Sequence, residues 1–349
     1  MEPATIPSVF GMELNTIWFI LVGVLFTGYA MLDGFDLGVG TLHLFTRKDE
    51  DRRMFLNAIG PVWDGNEVWL VTGGGALFAA FPDVYATVFS GFYLPFMALL
   101  AALIFRAVAI EFRSKESWTW WRSMWDTGFA IGSVVSSFLI GVTMGNILQG
   151  IRLDERGEYV GGFFALLNPY AILLGLTTIA LFAMHGSIYL VMKTEGELQQ
   201  RVRGWVNRTI GIFLAFYVIL NVSTLVYAPH LLETLRARPW LLAVFVVNVL
   251  IVLNIPRENH KGNEFRVFLS SCAAMATLMM LFGLTVYPNM VLSMPNPENS
   301  LTIYNAASTE KTHMIMLIIA LMGIPVVLAY TASVYYIFRG KVKLTPHSY

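Results

Sequence analysis

Acidic side chains inside apolar stretches are where this sequence most visibly offers chemistry. LDGFDLGVG carries Asp33 and Asp36, and PVWDGNEVW carries Asp64 and Glu67. Both pairs are spaced i, i+3, so each pair lies on one helix face. An acid at mid-bilayer costs about 2.5–3.5 kcal/mol on insertion scales, so it demands a partner, water or a function. Together, four such groups could serve as a hydrated proton or cation route. Asp36 lies 11 residues before Arg47 and Asp64 lies 11 after Arg53, while Asp33 and Glu67 are each 14 from the same arginines. At the helical rise these spacings are roughly 16 and 21 Å from the inner charged loop. An antiparallel hairpin of the two segments would set all four carboxyls in one layer, in the half of the membrane reachable from the cytoplasm. Asp64, set among Trp63, Asn66 and Trp69, is the leading single candidate. Glu111 and Asp126 lie near the inner ends of later segments and could form an entrance, but solvated helix ends are the commoner explanation.

The same acids admit a structural reading. A buried aspartate can cap a helix break at Gly34 or Gly65 and contact only backbone amides. Arg106, seven residues before Arg113, could pair with one of the carboxylates and silence it.

What must position these groups follows from composition. Of 349 residues, 56% are hydrophobic and 13% charged, where a soluble domain carries about 25% charged. That excludes a separate soluble domain, a disordered tail and a nucleic-acid module. The net charge of +0 agrees, since nucleic-acid binders show a basic face. The chain reads as a single all-α integral membrane domain, 1–349, in the lipid bilayer. Nine apolar runs span about 16–45, 55–81, 84–111, 125–147, 166–192, 209–228, 240–255, 267–287 and 312–338. With the N-terminus outside, 18 of the 23 basic residues fall on inner segments. Only Arg152, Arg156, Arg236, Arg238 and Lys311 stay outside, so the positive-inside rule sets the C-terminus in the cytoplasm. The segment before the first run lacks the basic start of a cleaved signal peptide and reads as a short tail. Trp118, Trp120 and Trp121 precede the fourth run, where an interfacial belt is expected.

Other chemistry is sparse. Haem needs axial His, Met, Cys or Tyr ligands. Of the six histidines only His185 is plainly inside a run, where a hydrogen bond within the bundle is expected of it. The sequence points to no haem bound by this chain alone and to no metal site. Cys272 reads as an apolar filler. Gly128/Gly132 and Gly141/Gly145 are small-xxx-small pairs, suited to internal packing or to a partner subunit. No GxGxxG, P-loop, HExxH or Ser-His-Asp pattern is present.

These segments together resemble subunit II of the cytochrome bd quinol oxidases of bacteria. The resemblance runs nearly end to end. It is carried by LDGFDLGVGTL, by RRMFLNAIGPVWDGNEVWLVTGGGALFAAFPDVYATVFSGFY, and by FRAVAIEFRSK, WRSMWDTGFAIGS, GVTMGNILQG and LLNPYAILLGL. KTEGEL and YPNMVLSMPNPENSLTIYNAAS also fit, whereas 205–265 is weakly diagnostic. The resemblance implies two four-helix bundles, here 1–147 and 166–287, plus a peripheral ninth helix at 312–338. It implies membership of a complex in the bacterial inner membrane that oxidises ubiquinol or menaquinol and reduces dioxygen to water. Haems b and d would sit in a larger partner, subunit I, with small single-helix subunits as further partners and a structural quinone as a possible occupant of this chain. It implicates Asp64 in a proton path from the cytoplasm, with Asp33 and Asp36 nearby; Glu67 joins them on the spacing argument alone. Glu111 stands where Asp is also familiar, and the extra methylene keeps a proton-accepting role open. His43 and His185 lie outside the matched segments and receive no role. Two rivals remain at this point: a secondary transporter or cation channel using the same acids, and a pure scaffold.

Overall fold

The computed structural model describes residues 8, 9 and 11–344. Most of the expected N-terminal tail, and His347, lie outside the described residues. Twelve helices carry most of the described chain: α1 (Leu14–Leu42), α2 (Asp49–Ile59), α3 (Trp63–Ala80), α4 (Pro82–Gly91), α5 (Tyr93–Phe112), α6 (Thr119–Gln149), α7 (Pro169–Lys193), α8 (Gly196–Tyr227), α9 (His230–Ala237), α10 (Trp240–His260), α11 (Glu264–Val286) and α12 (Glu310–Ile337). Local chemistry explains several boundaries. The run expected at 55–81 breaks at Gly60–Pro61, because proline offers no amide to continue the ladder. Pro82 opens α4 from the first helical turn, where its missing N–H costs nothing. Asn168 caps α7, its side chain accepting from the Ala171 amide at 2.8 Å. Gly150 ends α6 at φ +87°, a conformation that favours glycine.

Among the described residues, eight helices are long and apolar enough to cross a membrane: α1, α5, α6, α7, α8, α10, α11 and α12. The seventh run, expected to stop at 255, extends to His260. The remaining expected run is represented by α3, only 18 residues long and diluted in apolarity by Asp64, Asn66 and Glu67. The acids singled out in the sequence are thus also what lowers the apolarity of α3.

The core is layered along the helix axes. Toward one end, Leu14, Trp18, Phe81 and Phe92 pack with Ile151, Leu166 and Ile303 from the connecting loops. A short antiparallel ribbon, Asn289–Val291 with Leu301–Thr302, belongs to this cap. Toward the other end Phe35, Val39 and Phe55 meet Met184, Tyr189 and Phe213. Helix α7 is the most buried span and α12 the least.

Helices α1 and α7 come close enough to exclude any side chain between them. A Cβ on Gly38 would sit 1.8 Å from the Phe182 carbonyl oxygen, and one on Gly186 2.5 Å from the Gly38 carbonyl carbon. Of the glycines singled out in the sequence, Gly132, Gly141 and Gly145 face α5 or α7 in the same manner, so they serve internal packing, while Gly128 meets nothing within 4 Å. Gly38→Ala is therefore expected to cost about 3 kcal/mol or more, since overpacking against backbone cannot relax through rotamers. Gly74→Ala, with open space at that position, is expected to be neutral. Thermal denaturation of the solubilised protein compares the two.

Candidate functional site: a buried acid cluster

Three helices converge on one guanidinium. Asp33 and Asp36 lie on the buried face of α1, and both are fully buried. The Gly60–Pro61 break lets α3 start at the level where Asn66 and Glu67 turn toward α1. Helix α5 supplies Arg106, 0% exposed, and the bare backbone of Gly132 on α6 lies against it. Arg106 Nη2 donates to Asp33 Oδ1 at 2.7 Å and lies 4.0 Å from Asp36 Oδ2. Arg106 Nη1 lies 3.5 Å from Glu67 Oε2. Asn66 Nδ2 donates to Asp36 Oδ2 at 2.7 Å and to the Leu32 carbonyl at 3.1 Å. Tyr335 of α12 closes the side opposite, donating to Asn66 Oδ1 at 2.9 Å.

One guanidinium balances one carboxylate. Facing three carboxyls in a low-dielectric layer, it leaves the cluster neutral only with two protons shared among Asp33, Asp36 and Glu67. Spare hydrogen-bonding capacity remains: Tyr29 Oη, Asp33 Oδ2, Asp36 Oδ1 and Arg106 Nε have no protein partner. Buried polar atoms in that condition cost about 1–3 kcal/mol each. Tyr29 and Glu67 also line an apolar cleft of about 1800 Å³ between the helices.

Of the five residues expected to carry protons, Asp33, Asp36 and Glu67 are brought together. Asp64 is not: it sits in the first turn of α3 with its side chain on the exposed surface. It remains close enough to Glu67 to interact electrostatically. Glu111 is exposed near the end of α5. The suspected ion pair of Arg106 is present, and three carboxyls surround the one guanidinium.

A second polar centre, which the sequence reading passed over, lies two turns away along α1 and α5. Asp126 of α6, expected as a solvated helix end, is 1% exposed. Its carboxylate accepts from His43 Nε2 at 2.6 Å, Arg113 Nε at 2.5 Å and Arg52 Nη1 at 2.8 Å. Arg113 also reaches Asp49 at 2.6 Å. The signal was present in the recurrence of Arg52, Arg113 and Asp126 at the same end of successive runs, but pairing across loops is invisible to spacing along one helix.

Three of the described histidines are engaged inside the bundle. His185 has both nitrogens engaged, Nδ1 with Ser271 Oγ at 2.7 Å and Nε2 with the Met31 carbonyl at 3.0 Å, the internal bonding expected of it. Nε2 of His313 bonds the Ala80 carbonyl, and Nε2 of His230 that of Leu148.

Comparison with known proteins gives a consistent result. A model of the family described as cytochrome bd terminal oxidase subunit II matches residues 14–338. Cytochrome bd-I ubiquinol oxidase subunit 2 of Escherichia coli (strain K12) is 37% identical over 360 residues, covering 94% of this chain and 95% of that protein. Cytochrome bd ubiquinol oxidase subunit 2 of Bacillus subtilis (strain 168) is 34% identical over 331 residues, covering 95% and 97%. A chain in the solved structure of bd oxidase from Geobacillus thermodenitrificans superposes with TM-score 0.76 at 16% identity, covering 94% of this chain and 98% of that one.

Proposed function

The chain belongs to the cytochrome bd terminal oxidase subunit II family, and from that premise we propose that its acid cluster is a segment of the proton supply of a quinol-oxidising, dioxygen-reducing complex. Membership makes it a subunit of a multi-pass respiratory oxidoreductase. The finer reading is a heterodimer with a haem-bearing subunit I, in which this chain carries no haem. Haem chemistry, electron transfer to dioxygen, belongs to that partner, and no step here runs through it. Helix α3 is taken as the ninth crossing, with the N-terminus outside and the C-terminus in the cytoplasm, as the basic residues favour. The two-bundle division, 1–147 and 166–287 with 312–338 peripheral, is part of the same reading. The apolar cleft beside Tyr29 and Glu67 suits an isoprenoid quinone as a structural lodger. Small single-helix subunits would find space on the exposed apolar faces.

The observation that carries the proposal is three carboxyls around one guanidinium, with Glu67 at the rim, its side chain 20% exposed. Protons entering from the cytoplasmic side, near Glu111 and the surface carboxyl of Asp64, would reach Asp36 and Asp33 and pass to Glu67 at the rim. Drawing protons from inside while quinol releases protons outside would build a membrane potential without a pump. Family membership favours this reading over a free-standing transporter.

Glu67→Gln in the intact complex, reconstituted in vesicles, is expected to lower oxygen consumption and proton uptake together by about tenfold or more, the scale of losing a positioned proton carrier. The haem absorption spectrum should persist. Asp64→Asn is expected to act in the same direction. If both variants retain native turnover and native charge translocation, the subunit is a scaffold and the proton assignment fails.

A further inference from the structure

We propose that Tyr335 on α12 is a positioning residue for the acid cluster, its hydroxyl fixing the Asn66 carboxamide so that the amide N–H, and not the carbonyl, faces Asp36. The inference rests on the proton-supply reading above for its consequence, but not for its geometry.

Asn66 is 2% exposed, so its three hydrogen bonds are all internal. Its Nδ2 serves two acceptors, Asp36 Oδ2 and the Leu32 carbonyl, while its Oδ1 accepts from Tyr335. A flipped amide would set Oδ1 against both of those acceptors and waste the tyrosine donor. With Asp36 ionised, the observed orientation needs little help. When Asp36 takes up a proton the balance changes, because its O–H can donate to a flipped Oδ1 and the flipped amide would then hold that proton. The Tyr335 hydroxyl opposes this alternative by donating to Oδ1, because against a flipped amide it could serve only as an acceptor and its own proton would lose its partner. An amide does not itself titrate, so the Tyr335–Asn66 pair orients the carboxyl rather than conducting. Asp36 is otherwise faced by Asp33 on its own helix, Glu67 on α3, Arg106 on α5 and Tyr189 on α7; Cys272 of α11 lies near Tyr335.

The fold goes to some length to place this hydroxyl. Helix α12 is the least buried span, and its buried residues, His313 and Leu317, lie near its first end. The far end is fastened by the chain after it. Lys341 Nζ donates to the Val191 carbonyl at 3.0 Å and pairs with Glu264 at 3.3 Å, and the Val342 amide donates to the Lys193 carbonyl at 2.8 Å. Tyr335 is thus held between Asn66 on one side and this clasp on the other. Apolar contacts alone would leave a mostly exposed helix free to rotate, and the phenol would lose its register.

The test uses the complete purified complex. The infrared carboxyl band of Asp36 is identified as the one lost in Asp36→Asn, and oxygen consumption is followed against pH. Tyr335→Phe is expected to keep the haem spectrum, move the Asp36 band, shift the pH profile and slow turnover about threefold to tenfold, the scale of a misoriented reacting group. Tyr336→Phe, exposed and stacked by Arg339, should match the native complex. Site-specific 3-fluorotyrosine at 335 keeps the shape and strengthens the donor, so it should move the same band the opposite way; it also decides the matter should Tyr335→Phe not assemble. An unmoved band in these Tyr335 variants overturns the proposal. If the band moves while Asp36→Asn turns over normally, the positioning stands and the proton-supply reading falls. If Asp36→Asn is slow while the Tyr335 variants are native in band and rate, the reverse holds.

Discussion

Arg106→Leu is expected to destabilise the folded subunit by about 3–5 kcal/mol, the cost of leaving a buried partner charge uncompensated, and to abolish recovery of assembled complex. The residue is fully buried and faces Asp33, Asp36 and Glu67 from one position. Leucine fills part of the volume but offers no charge, so each carboxyl must either stay protonated or remain ionised without a counterion. Arg106→Lys keeps the charge and should recover only part of the loss. An ammonium is a point charge and cannot present two nitrogens, one to Asp33 and one to Glu67, as the planar fork does. Asp33→Asn combined with Arg106→Leu should be milder than Arg106→Leu alone, because it removes the carboxyl that is closest to the missing guanidinium. Thermal denaturation and the yield of haem-containing complex measure all three. An Arg106→Leu protein as stable as the native one would show that the cluster is neutral and held by packing, which would remove the charge-balance argument for its extra protons.

The course from sequence to site was legible where spacing along one helix decides contacts. Asp33 and Asp36 share a face because they are three residues apart, and the antiparallel approach of α1 and α3 then brings Glu67 to them. Asp64 shows the limit of that reasoning. It is three residues before Glu67, yet the break at Gly60–Pro61 makes it a first-turn residue with its side chain outside. The i, i+3 rule gives adjacency on a surface, not the direction of that surface. Gly38 forms a small-xxx-small pair with Gly34 that the sequence does display, but its partner Gly186 lies 148 positions further along the chain, a pairing that spacing along one helix cannot show. Tyr335 could not be found at all from the sequence, since nothing marks one tyrosine among fourteen as facing an asparagine in another helix. The span count shows the same limit, because Asp64, Asn66 and Glu67 lower the apolarity of α3 while the other eight long helices stay apolar.

Asp126→Asn should match the Arg106 variant in severity, by the opposite imbalance. Here one carboxylate stands before Arg113, Arg52 and His43, with Asp49 as a second, half-exposed acceptor for Arg113. Asparagine preserves the shape but turns one acceptor oxygen into a donor, which then points at donors. At least one of the close bonds is lost, Arg52 loses its carboxylate partner and Arg113 is left to the half-exposed Asp49, so a cost of about 3–5 kcal/mol is again the expected scale. The consequence is local as well as global. His43 follows α1, Arg52 is in α2, Arg113 follows α5 and Asp126 begins the buried part of α6, so the carboxylate is the knot that ties the two connections at this end. Hydrogen–deuterium exchange should rise first at 43–53 and 113–122, before the helices around Arg106 respond. Asp49→Asn, whose side chain is 47% exposed, should change stability by no more than about 1 kcal/mol, as exposed pairs do. If exchange in Asp126→Asn rises equally everywhere, the two polar centres are one cooperative unit; if it rises at neither connection, the carboxylate is not what holds them.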